Sequence, residues 1–209
     1  MVGHMGLRKI IAAAAASLIV APAFAQSPVE AYAQKALDQG VSLLGDKALS
    51  DTERRIEIRN FLDSTLDLKR IALFTLGDRA KSATPAELDA YVKAFSDFTL
   101  TSYAGRVGGY DGQQLSVFGA EERAPGDFIV SVHVSDPADP PGTPPDTAMF
   151  RVLKEPNGSF GVVDASVEGI WFELAEREDI QGYLSENGGD LAKLTDHLNV
   201  LTRDLKAKN

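Results

Sequence analysis

The stretch SFGVVDASVEGIWFELAER, residues 159–177, decides how the strands and the helices of this chain are joined. It begins with the apolar run 160–163, which is typical of a β-strand. Asp164 and Glu168 interrupt that run before the bulky cluster IWF at 170–172, which contains the only tryptophan. A helical pattern follows directly. A strand and a helix are therefore joined by a short segment with two carboxylates, which could line a cavity or close a core.

The sequence before this stretch has the two-residue period of an antiparallel sheet. Phe128, Val130, Val132 and Val134 alternate with smaller or polar residues, a pattern that indicates a half-buried strand. The segment DPADPPGTPPD at 136–146 is rich in proline and predicts a loop. We expect a four-stranded antiparallel meander with strands near residues 115–120, 128–135, 148–154 and 160–167.

Helical signals precede and follow this meander. Ser27 is followed by Pro28, and the segments SDTE at 50–53 and TPAE at 84–87 have the spacing of capping boxes. Because helices come first, then a meander, then helices again, the fold class is α+β, with the sheet packed against N- and C-terminal helices. We expect helices near residues 27–44, 50–64, 67–77, 84–108, 174–187 and 190–206.

The N-terminus has the layout of a secretory signal peptide. Arg8 and Lys9 precede an uncharged apolar run, and Ala23-Phe24-Ala25 supplies a small-residue cleavage site. We predict that residues 1–25 are removed, which leaves residues 26–209 as a single domain exported to the periplasm. Loss of the two basic residues changes the net charge from −9 to −11.

Composition excludes several classes of function. An acidic surface argues against binding to nucleic acid, and we expect a monomer with no such partner. With no cysteine in the sequence, disulfides and thiol catalysis are excluded. His133 and His197 have no second ligand at metal-binding spacing, so we predict neither a metal site nor a cofactor.

Candidate chemistry is confined to the junction in the opening stretch. Asp164 and Glu168 could act as an acid–base pair if burial separated their pKa values, as in an isomerase or hydrolase. The alternative, which we favour, is that Asp164, Glu168 and Gly169 fix the turn from strand to helix, with no catalytic residue. A third reading is a periplasmic interaction module with a filled core.

Four segments of the chain carry patterns that one known family shares. IALFTLG at 71–77 is similar to the family segment I-A-x-F-x-L-G, and ATP at 83–85 precedes a helix with the family's Phe and Tyr. The run from Asp164 to Gly169, with Arg177 and the helix break at 187–189, resembles the family's C-terminal pattern. The chain therefore resembles the periplasmic phospholipid-binding proteins of Mla type (the MlaC or toluene-tolerance family). The resemblance extends over nearly all of the chain after the signal peptide.

The resemblance implies a non-enzymatic lipid carrier. Helices and sheet would enclose an apolar pocket for phospholipid acyl chains. The partners would be an inner-membrane ABC transporter with an MCE-domain ring and an outer-membrane lipoprotein–porin complex, as in a system that maintains outer-membrane lipid asymmetry. Relatives associated with hopanoid loci share the pattern, so a hopanoid stays open as an alternative ligand.

The chain also departs from the family in two places. Ala80 stands where many members carry Trp, and Trp171 stands where they usually carry Ser, so these positions are where we expect the pocket to differ. The residues that we expect to line the pocket are Phe74, Tyr91, Phe95, Phe98, Tyr103, Val117, Val130, Val132, Phe150, Val152, Val162, Val167, Ile170 and Trp171.

Overall fold

The structure is a computed structural model that describes residues 26–105 and 110–208. The predicted signal peptide lies outside the described residues. The elements in chain order are α1 (Pro28–Gly45), α2 (Asp51–Thr65), α3 (Leu68–Leu76), α4 (Arg79–Ser82), α5 (Pro85–Ala104), β1 (Gln114–Ala124), β2 (Asp127–Ser135), β3 (Asp146–Lys154), β4 (Phe160–Val167), β5 (Ile170–Trp171), α6 (Phe172–Glu186) and α7 (Leu191–Lys208). The predicted α+β class is confirmed.

Three helices, α1, α2 and α5, begin where the capping signals predicted, whereas the short helix α4 was not predicted. The side chains of Ser27, Ser50 and Thr84 each accept a hydrogen bond from a backbone N–H three residues later, and a glutamate at that position bonds back to the cap. These reciprocal bonds satisfy backbone donors that no helical carbonyl can reach. None of the helices in the described ranges is long and apolar enough to cross a membrane.

The sheet is an antiparallel meander, as predicted, but it has five strands rather than four. The strand order is β1-β2-β3-β4-β5, so every strand pairs with its neighbour in sequence. The missed strand, β5, is only two residues long and pairs Val167 with Ile170 and Ser166 with Trp171. Because β5 leads directly into α6, that helix begins at Phe172, two residues earlier than predicted.

The β4–β5 turn has an unusual backbone that explains the missed strand. Its two central residues, Glu168 and Gly169, have φ values of 52° and 81°. A two-residue hairpin with positive φ at both positions matches the twist of the strands it joins. Glycine adopts this conformation without strain, whereas glutamate does so at a cost. The usual pair in such a turn is Asn-Gly or Asp-Gly, and Glu168-Gly169 matches it only at the glycine.

Two hydrophobic cores hold the molecule together. In the sheet core, Val29 and Ala33 of α1 pack against Val130, Val132 and Val152 on one face of the sheet. The helical core joins α3, α5, α6 and α7 and contains the buried residues Ile71, Ala72, Leu76, Tyr91, Ala94, Phe95, Ile180, Leu184, Leu191, Leu194 and Leu198. The two cores are adjacent but distinct.

The connection between α2 and α3 lies where the two cores meet. Leu66 packs against both cores and forms an isolated parallel bridge with Val162 of β4. The backbone N–H of Asp67 donates to the carbonyl oxygen of Val162 at 2.9 Å, and its side chain caps α3. The helical layer is therefore attached to β4 at this point.

Candidate functional site

An apolar cavity of about 240 Å³ lies between the helical layer and the sheet. It occupies the space between the two cores, where helices and strands diverge. The lining residues come from six elements and one connection, and they are Leu62, Leu66, Ile71, Phe95, Thr99, Tyr103, Phe150, Val162, Val163, Asp164, Ala165, Phe172, Glu173 and Glu176.

The cavity has a closed floor and an open mouth. Phe95, Val162 and Val163 at the floor are buried. Phe172, by contrast, is 40% exposed, and Glu176 beside it is partly exposed. A ligand would therefore enter past the first turns of α6 and extend toward the floor.

A bulge in β4 gives the cavity its continuous wall. Arg151 pairs with Asp164 but Val152 pairs with Val162, so Val163 has no partner in the register. In a regular strand, successive side chains point to opposite faces, whereas a bulge breaks the alternation. As a result, the four consecutive residues 162–165 all line the cavity.

Asp164 is bound to backbone groups at the junction of β4 and α6. Its Oδ1 atom accepts hydrogen bonds from the backbone N–H groups of Ala165 and Glu173, both at 2.8 Å. Burial raises the pKa of Asp164, and these two bonds and the charge of Arg151 lower it. Since the Glu173 N–H lies in the first turn of α6, Asp164 fixes the start of that helix.

Glu168 does not share a cavity with Asp164. It lies exposed at the β4–β5 turn, outside the lining of the apolar cavity. The carboxylate that does adjoin Asp164 is Glu173. The structure thus does not assemble the acid–base pair of the isomerase or hydrolase alternative.

Glu173 is the functional candidate that sequence reasoning missed. Its residue surface is only 6% exposed. Burial and then repulsion by Asp164 raise the pKa of Glu173 to about 7, against attraction from Arg151 and Arg177. A glutamate between Phe172 and Leu174, within an apolar run, was the available signal.

Thr99 contributes a third buried polar group to the cavity, in addition to Asp164 and Glu173. Its residue surface is 4% exposed, and its Oγ1 has no hydrogen-bond partner in the part of the chain that the structure describes. A buried hydroxyl without a partner is uncommon in folded proteins. It lies on α5, one turn from Phe95 and Tyr103, and all three line the cavity.

A polar cleft of about 300 Å³ lies on the opposite face of the sheet. Ile129, Arg151 and Asp164 are aligned across neighbouring strands on this face. Arg151 pairs with Asp127 at 2.9 Å. The lining residues are Phe74, Arg123, Asp127, Ile129, Arg151, Asp164, Trp171, Glu173 and Leu174, so Asp164 and Glu173 separate the cleft from the apolar cavity.

The structure distributes the fourteen predicted lining residues over four environments. The apolar cavity receives four of them, Phe95, Tyr103, Phe150 and Val162. Phe74 and Trp171 line the polar cleft instead, and Val167 and Ile170 are exposed near the β4–β5 turn. The remaining six lie in or against the two cores, namely Tyr91, Phe98, Val117, Val130, Val132 and Val152. Lipid contact at all fourteen positions stays a prediction.

Comparison with known proteins identifies the family. The family described as "MlaC protein" matches residues 34–200. A solved structure of similar fold is the phospholipid-binding protein from Ralstonia solanacearum in complex with a phospholipid; it has 22% sequence identity and a TM-score of 0.71, with 86% of this chain and 99% of that chain covered. The family match spans well over half of the sequence, and the chain therefore belongs to the MlaC protein family.

Proposed function

We propose that this protein is a periplasmic phospholipid carrier that binds acyl chains in the apolar cavity. The observation that carries the proposal is the cavity itself, which has an apolar floor between two cores and an open mouth. Membership of the MlaC family and the phospholipid complex of the similar fold from Ralstonia solanacearum support the same ligand class.

The size of the cavity bears on how a lipid would be accommodated. A cavity of about 150 Å³ holds one benzene molecule, so 240 Å³ holds about ten carbon atoms by the same measure. Burying ten methylenes contributes roughly 8 kcal/mol. A diacyl phospholipid has on the order of 30 methylenes, and its full burial therefore requires the helical layer to separate further from the sheet.

The connection between α2 and α3 is the point about which we expect this separation to occur. Leu66 and Asp67 are attached to β4, whereas α5 faces β3 across the cavity. Widening the gap between α5 and β3 would extend the floor beyond Phe95 and Phe150 without breaking that attachment. Lipid binding would then separate α5 from β3 and preserve the attachment of Leu66 and Asp67 to β4.

A carrier role follows from the cost of exposing acyl chains to water. Since each methylene costs roughly 0.8 kcal/mol to expose, free lipid does not cross an aqueous compartment at a useful rate. We propose that this protein moves lipid between an inner-membrane ABC transporter with an MCE-domain ring and an outer-membrane lipoprotein–porin complex. Its negative charge, −9 for the full sequence, would disfavour adsorption to anionic bilayers and favour docking to specific complexes.

Lipid extraction and native mass spectrometry of protein purified from bacteria test the proposal. We expect phospholipid to co-purify with the wild-type protein. The variant Phe150→Asp should lose most of this lipid, because it introduces a charge into the apolar lining. Phe118→Asp is the matched control, since Phe118 is 52% exposed and stacks on His133 away from the cavity.

Two results would contradict the carrier proposal. One is wild-type protein that binds no lipid, either after purification or after incubation with phospholipid vesicles. The other is a folded Phe150→Asp variant that loads as much lipid as Phe118→Asp. Cell fractionation, together with the mass of the purified chain, tests export and cleavage after Ala25.

A further inference from the structure

The charged side chains that line the apolar cavity are all acidic. Asp164, Glu173 and Glu176 line it, and no Lys, Arg or His does so among the described residues. Glu173 and Glu176 are three positions apart on α6 and so lie on the same face of that helix. They lie beside Phe172 at the mouth, whereas the floor below them is apolar.

Asp164 and Glu173 differ in the groups that stabilise their charge. Asp164 accepts the two N–H bonds at the junction of β4 and α6. Glu173 is buried beside Asp164, and both Arg151 and Arg177 attract it. The guanidinium of Arg177 donates to the carbonyl oxygen of Phe74 at 2.6 Å and lies over the Phe74 ring, outside the cavity lining.

Thr99 provides an independent indication of a polar ligand group. Its buried Oγ1 lacks a partner among the described residues and belongs to the cavity lining. An unpartnered hydroxyl in an apolar site is costly unless a ligand satisfies it. The oxygens that a diacyl lipid carries between its tails and its head group are ester carbonyls, which accept hydrogen bonds.

From these observations we infer that the preferred ligands are phospholipids with a cationic amino head group, such as phosphatidylethanolamine. The ammonium lies at Glu173 and Glu176, an ester carbonyl accepts from Thr99, and the tails occupy the floor near Phe95. This inference rests on the proposed lipid-carrier function and specifies its substrate class.

The charges explain why anionic lipids would bind less well. A phosphatidylglycerol head group brings a negative phosphate and no cation to a mouth lined by carboxylates, whereas an ammonium compensates them. Charges at a partly exposed site typically change affinity by a factor of up to about five. We expect the wild-type protein to favour the amino lipid over the anionic lipid by a factor of that order.

A competition experiment tests the head-group preference. Delipidated protein is incubated with vesicles of equimolar dioleoyl phosphatidylethanolamine and dioleoyl phosphatidylglycerol, and the bound lipids are quantified by mass spectrometry. The wild-type protein should enrich the amino lipid by about threefold or more. The variant Glu176→Gln should lower this ratio toward one.

Asp179→Asn is the matched control for that variant. Asp179 is exposed on α6, lies outside the cavity lining, and its substitution removes the same formal charge. Long-range repulsion between the protein and anionic vesicles therefore changes equally in both variants. If Asp179→Asn lowers the ratio as much as Glu176→Gln does, or if the wild type loads both lipids equally, the inference is wrong.

The Thr99 contact has its own test, with diester and diether forms of the same amino lipid. The wild type should prefer the diester form by about threefold, the usual effect of one hydrogen bond, and Thr99→Val should abolish that preference. Equal loading of both forms by the wild type would overturn the Thr99 assignment. Failure to bind either lipid class would instead contradict the carrier function, so the two failures are distinguishable.

Discussion

Replacement of Glu173 by glutamine should stabilise the lipid-free protein at alkaline pH and leave it unchanged in acid. The Glu173 carboxyl is buried beside Asp164, and its pKa is raised from 4.5 to about 7. A raised pKa means that the folded state binds the proton more tightly than the unfolded state. The contribution of Glu173 to stability is therefore greatest below about pH 4.5 and is lost as the pH rises toward 7.

The magnitude follows from the size of that shift. Each pKa unit corresponds to about 1.4 kcal/mol, so ionised Glu173 lowers the free energy of unfolding by at most about 3 kcal/mol. Glutamine has nearly the same shape and carries no charge. For a domain of this size the Glu173→Gln variant should melt about 6 to 12 °C above the wild type at pH 8, and the difference should vanish near pH 4.5.

Thermal and urea unfolding at several pH values between 4.5 and 8 provide the measurement. Glu178→Gln is the matched control, because Glu178 lies on the same helix and is exposed; its effect should be small and independent of pH. Asp164 also has a raised pKa. It is present in the wild type and in both variants, so its own contribution to the pH dependence cancels when they are compared. A Glu173→Gln effect that is constant across the pH range would refute the reasoning.

Two further substitutions test other parts of the site. Thr99→Val should raise the free energy of unfolding of the lipid-free protein by about 1 kcal/mol in urea denaturation, because it removes a buried hydroxyl without a partner; a loss of stability would show that the hydroxyl is satisfied. Gly169→Ala should cost about 1 to 2 kcal/mol, since φ is 81° and the left-handed region disfavours a Cβ. Apart from the chain neighbours, no heavy atom in the described part of the chain lies within 4 Å of the added Cβ, so the loss reflects backbone strain, and an unchanged midpoint would contradict the assigned turn.

The architecture could be predicted because its signals are local. Ser27, Ser50 and Thr84 mark helix starts through short-range capping bonds, and the alternation in β2 marks a strand with one apolar face. These features depend on residues within a few positions of each other. The β4–β5 hairpin was missed because Glu168 is an unusual residue at positive φ, and that conformation is imposed by the pairing of Val167 with Ile170.

The site was less predictable because it depends on contacts that are distant in sequence. Alternation showed that Val130 and Val132 face inward, but not that α1 covers them and excludes them from the cavity lining. The bulge at Val163 likewise follows from the pairing with β3 rather than from a local motif. Glu173 was overlooked because its burial arises only when α6 folds back onto β4.

The position of the cavity between the two cores has a consequence for cooperativity. The contacts that join the sheet core to the helical core include Leu66 with its bridge to Val162 and the hydrogen bond from the Glu173 N–H to Asp164, and both lie beside the cavity. Two such units can open separately, as foldons do in native-state hydrogen exchange. A bound acyl chain would contact both cores at once and join them into one cooperative unit. Release of the lipid would then let the helical core open independently of the sheet core, as binding of another lipid requires.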